Sequence, residues 1–94
     1  MIHRQNVQEL LDACALEILD FIKQSEPHYP DRWVPIAHVK NCLDLNMVAV
    51  PQGGAQYGPK GWVFASLARR LEDQRLLEHT RIGSRSFCRS ARAA

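Results

Sequence analysis

No run of this 94-residue chain is apolar over the roughly 18 residues that a membrane-spanning helix requires. A bilayer span is therefore not expected. The start, MIHRQNVQELLDA, lacks the apolar centre of a secretory signal. Cysteine is sparse and has no pairing pattern. Cys14, Cys42 and Cys88 are odd in number and show no CxxC spacing, which argues against a disulfide framework and fits a reducing compartment. A soluble, cytoplasmic protein is the expectation. Neither GxGxxG nor GxxxxGKS/T occurs, so the usual nucleotide cradles are missing. The four histidines are scattered, and no Ser/His/Asp or Cys/His order suggests a nucleophile with its base. Neither catalysis nor a cofactor is expected.

What the chain does have is an uneven charge. Residues 1–46 hold four basic and seven acidic residues, a net of −3. Residues 47–94 hold eight basic and three acidic residues, a net of +5, and seven of the eight are Arg. Arginine matches phosphate through a planar fork and reads guanine edges well. A basic half facing a polyanion is one reading. A solvated, Arg-rich surface is the other.

The length suggests a single domain over 1–94. Apolar spacing places a first helix over 6–24. Val7, Leu11, Cys14, Ile18, Phe21 and Ile22 form its stripe, and Leu10 lies beside it. Asn6 is the expected cap, with Glu9 as its capping-box partner. Leu16 and Leu19 fall off the stripe, so they either widen the core face or meet a second copy. Pro27 and Pro30 end helical structure, leaving a loop over 25–35 in which Trp33-Val34 suits a short strand. Trp33 reads as a core plug. A second helix is expected from Pro35 to Leu45, with Ile36, Val39 and Leu43 inward. His38 and Cys42 stand four apart on it, half of a zinc site without evident further ligands. The glycine-rich run 46–59 forms an unusually long connection.

The organising stretch is Lys60 to Arg89. Phe64, Leu67, Ala68 and Leu71 share one face of a third helix over about 60–74, opposite Trp62, Ala65, Ser66 and Arg69. A hairpin follows over about 76–89, with Gly83-Ser84 as its turn. That register sets Ile82 opposite Arg85, Thr80 opposite Phe87 and Glu78 opposite Arg89, the last as an ion pair. A frayed tail is expected over 90–94.

The segment SLARRLEDQRLLEHTRIGSRSF resembles the winged helix-turn-helix superfamily of DNA-binding domains. Arg70-Leu71-Glu72 is similar to the end of that family's recognition helix. Asp73-Gln74-Arg75 follows as a polar turn, and Leu76-Leu77 opens a strand leading into a basic wing. The family usually closes the turn with Gly, where this chain has Arg75. The resemblance implies a mainly α architecture of three helices with a small antiparallel β-hairpin. It implies a third helix in the major groove of double-stranded DNA and a wing on the flanking backbone, as in a small transcriptional regulator. Carried over, Lys60 would meet a phosphate at the helix start and Ala65 a thymine methyl. Ser66 would meet a phosphate and Arg69 a base or phosphate, with Arg70 at the margin. Arg81 and Arg85 would sit near the wing tip, unless they serve only solubility or pair with acids of the first helix. Trp62 is either part of a rotated core or a stacking surface for a partner. A homodimer would supply a second half-site. A winged helix used as a protein–protein adaptor is the alternative.

Overall fold

The computed structural model describes residues 2–46 and 61–92. They form three helices and a small three-stranded antiparallel sheet, an α+β arrangement. Helix α1 runs Ile2–Ser25, and two 3-10 turns, Glu26–His28 and Pro30–Arg32, follow it. Strand β1 is Val34–Pro35, α2 is Ile36–Cys42 and α3 is Trp62–Asp73. Strands β2 (Leu77–Ile82) and β3 (Arg85–Ser90) make the hairpin. The strand order is β1-β3-β2. The 46–59 connection and Lys60 lie outside the described residues, except for Asn46.

The core is built where the helical and strand patterns agree. Phe64, Leu67, Ala68 and Leu71 are all buried, and Trp62, Ala65, Ser66 and Arg69 are all exposed, so the rotation of α3 follows its spacing. Trp62 therefore lies outside the core. Ile22, Val34, Val39, Leu71 and Cys88 are fully enclosed, and each aliphatic member contributes about 1.5–3 kcal/mol by leaving water. Val34 and Cys88 face each other in the β1–β3 register. The hairpin has the expected register, Ile82 with Arg85, Thr80 with Phe87 and Glu78 with Arg89. Arg89 Nε donates to Glu78 Oε2 at 2.7 Å.

Several local expectations are corrected. Helix α1 begins at Ile2, so Asn6 is interior and caps nothing; Gln5 instead donates to Glu9 across one turn at 3.2 Å. Only the second half of α1 enters the core, through Ala15, Ile18, Leu19 and Ile22. Leu19 is buried, because the covered face of α1 is wider than its main stripe. Val7, Leu10, Leu11, Cys14 and Leu16 are exposed. Helix α2 is shorter than expected, and Pro35 closes β1 immediately before it. Trp33 is half-buried at the sheet margin, where the Arg89 guanidinium lies 3.9 Å over its ring. Ser90 belongs to β3 and the Ala91 amide donates to Leu76 O at 2.9 Å, so the sheet extends into the expected tail.

Both α2 and α3 stop in the same way. The Arg75 amide donates to Glu72 O and the Leu76 amide to Leu71 O, each at 2.9 Å. The Asp44 amide donates to Asn41 O at 3.4 Å and the Leu45 amide to Lys40 O at 2.8 Å. These are Schellman endings, and each places a non-glycine residue in the left-handed region, Arg75 at φ 61° and Asp44 at φ 55°. The missing turn glycine is thus replaced by an arginine that adopts the conformation glycine would favour.

Candidate nucleic-acid interface

Helix α3 starts at Gly61, whose φ of 82° turns the chain sharply into the helix. A Cβ at Gly61 would lie 3.0 Å from Lys40 Cδ and 3.2 Å from Lys40 Nζ, so the α2 lysine lies against the start of α3. Beside this close approach lies a groove of about 840 Å³ between α2, α3 and the hairpin. Ala37, Ala65 and Ala68 contribute small side chains to its lining, and Lys40, Arg69 and Arg85 contribute its cations. His79 and Ser84 complete the hairpin side. Glu72 is its one acid among the described residues.

Three residues expected to contact DNA therefore meet in one place: Ala65, Arg69 and Arg85. Arg69 belongs both to the groove and to the outer face of α3 with Trp62 and Ser66. Its Nε lies 3.1 Å from Asp73 Oδ1, with both side chains largely exposed. A pair so open to water is screened and exchanges readily for another anion. Arg85 is exposed near the hairpin turn. Arg81 Nε bends back to donate to Gly83 O at 3.2 Å.

Arg70 points elsewhere. It donates to Asp12 Oδ1 from Nη2 at 2.6 Å and from Nε at 3.2 Å, and to Gln8 Oε1 from Nη1 at 3.1 Å. This half-buried fork braces α3 against α1, so Arg70 is removed from the contact set by the same reasoning that assigns Arg89 to Glu78. Lys40 is a groove cation that the sequence did not single out. Nothing in its own neighbourhood marks it, because the partners that give it meaning lie on α3 and the hairpin.

The half zinc site acquires no further ligands among the described residues, where no group of three or more His, Cys, Asp or Glu is gathered. Cys42 Sγ lies 3.6 Å from His38 Nδ1, and the His38 ring stacks on Phe21 with centroids 5.8 Å apart. Among the described residues no helix is long and apolar enough to cross a membrane.

No family model, curated protein or solved structure matches the chain. The groove and its chemistry are what bear on function.

Proposed function

We propose that this chain is a winged-helix DNA-binding protein, a small transcriptional regulator that sets α3 in the major groove and lays the hairpin on the adjoining backbone. The observation that carries the reading is the convergence of Lys40, Arg69 and Arg85, from three different elements, on one groove with small alanine side chains in its lining. Such a groove admits a phosphate backbone closely while presenting charge from both sides. The element order and the β1-β3-β2 sheet support the same reading. On it, Ser66 and Ala65 face the duplex from α3, and Arg69 chooses between a base edge and a phosphate. Arg81 near the turn and Lys60 before α3 are the flanking candidates. Glu72 opposes the phosphates and limits affinity.

Anisotropy titration against random duplex DNA at two salt concentrations tests this. Three phosphate contacts per copy predict a log–log salt slope of about −3. Reversing the charge of Lys40, Arg69 and Arg85 together is expected to abolish binding and to leave thermal stability nearly unchanged, since none of the three is a buried partner. Absence of binding at low salt, or a triple variant that binds normally, would overturn the assignment. A protein-interaction module is the second reading, favoured by the bare apolar residues on the first half of α1.

A further inference from the structure

Helix α1 is 24 residues long, about 36 Å, yet every residue it buries lies at Ala15 or beyond. Among the described residues, side-chain bonds reach its first half from one direction only, where Arg70 meets Gln8 and Asp12. Val7, Leu10, Leu11 and Cys14 nevertheless recur at spacings of three and four and continue in line into Ile18 and Ile22. The stripe is thus one stripe, covered by the core over its second half and, among the described residues, largely open over its first, with Leu11 at 36% exposure. Leu10 is 70% exposed and Val7 52%. A half-helix without packing is marginal in water, and an uncovered leucine stripe adds to its cost.

We propose that this stripe is a self-association face, on which two copies pack their α1 helices antiparallel with Leu10 and Leu11 across the two-fold axis. The placement of Arg4 and Glu17, equally far from Leu10 and Leu11 on either side, favours a second copy in that orientation. The first turn of α1 carries Arg4, whereas Glu17 and Asp20 make a later stretch acidic, ahead of Lys23 in the last turn. Antiparallel pairing centred on Leu10 and Leu11 sets Val7 level with the partner's Cys14 and Arg4 level with the partner's Glu17. Each Arg4 then meets a Glu17, twice across the axis. Parallel pairing would set like against like. Antiparallel helix dipoles add to the preference.

A receiving surface is present beside α1. Cys14, Ile18, Phe21 and Leu45 line a groove of about 370 Å³ that also carries Glu17 and Asp20. Apolar lining with two carboxylates suits a basic helical turn, and the symmetry uses the groove twice. No residue lining the Lys40–Arg69–Arg85 groove belongs to α1. Self-association therefore leaves that groove open and does not depend on what it binds. The face is small, so its affinity belongs in the micromolar range.

Sedimentation equilibrium of the full chain is expected to show a concentration-dependent approach to twice 10.7 kDa. Leu10→Glu with Leu11→Glu puts like charges across the axis and should weaken association at least about tenfold. Circular dichroism should be unchanged, because both residues are exposed. Orientation is read from Val7→Cys in a Cys42→Ser background. Oxidation should link the new thiol to Cys14 of the second copy. Glu17→Arg should weaken the dimer, and Arg4→Glu added to it should restore it. A monomer at every concentration overturns the proposal, including where the stripe is covered by an unrelated protein. Links of position 7 to itself and Cys14 to itself overturn the orientation.

Discussion

Two buried side chains carry most of the chemistry that pH and reagents can read. Glu26 sits at the end of α1, almost fully enclosed. Burial works against its charge, but the Ser90 amide at 2.8 Å, the Ser90 hydroxyl at 3.1 Å and Arg32 at 2.9 Å outweigh it and hold its carboxyl below the ordinary value of 4.5. A carboxylate depressed in the folded state adds stability that is fully present above its unfolded pKa and is lost as pH falls through the folded one. Thermal stability should therefore decline as pH drops below about 4.5. Glu26→Gln should be less stable by about 1–3 kcal/mol near neutrality and should lose that part of the acid dependence. Melting curves from pH 3 to 7 check both. Cys88 is the opposite case. Burial, with Glu26 and Glu72 adding to it, pushes its thiol up to about 12. Native protein, diluted to the monomer, should take up iodoacetamide at Cys14 and Cys42 and leave Cys88 unlabelled until it unfolds, as mass spectrometry would show.

The elements differ in how far their own residues specify them. Helix α3 and the hairpin were legible, because a strong period fixes rotation and Gly83-Ser84 fixes register. The Glu78–Arg89 pair followed from that register. The start of α1 was not, since Asn6 resembles a cap only if the preceding turn is ignored. The burial of Leu19 could not be read either, because it depends on how broadly the rest of the chain covers α1. Distance in the chain explains the remaining misses. Arg70 and Asp12 are 58 positions apart, and Lys40 meets α3 only through tertiary packing. The helix endings yield a prediction at this scale. A left-handed non-glycine residue costs about 1–2 kcal/mol, and the greater freedom of unfolded glycine offsets roughly half of that. Arg75→Gly should stabilise by about 0.5–1 kcal/mol. Asp44→Gly should gain about half as much, because Asp tolerates the conformation better. Arg75→Val should destabilise. Thermal melts of the three variants would order them.

At the scale of the molecule, the structure divides its tasks among surfaces. The groove between α2, α3 and the hairpin gathers the cations, and α1 separates into a half that completes the core and a half that presents leucines. The unequal charge of the two halves of the chain acquires a spatial meaning. Arg69 and Arg85 of the second half edge the groove beside Lys40, while Arg70 turns to Asp12 of α1 and Arg89 to Glu78. The architecture also limits where function can be sought by local pattern. The groove is assembled from segments far apart in the chain, which is why it has no compact motif, whereas the α1 stripe is a local helical pattern.

The Glu26 carboxylate has one more consequence, for the order of events in folding. It joins residues 64 positions apart, the end of the first helix and the end of the last strand. Closing so long a loop is entropically costly, and the bond forms only once β3 has paired and the turns after α1 are set. It is therefore expected to form late, after the transition state. Its loss should leave the refolding rate nearly as it was and appear almost wholly as faster unfolding. In a chevron plot of Glu26→Gln, the refolding limb should overlay that of the parent while the unfolding limb rises. Glu26 thus acts on how long the folded state lasts and hardly at all on how quickly it is reached.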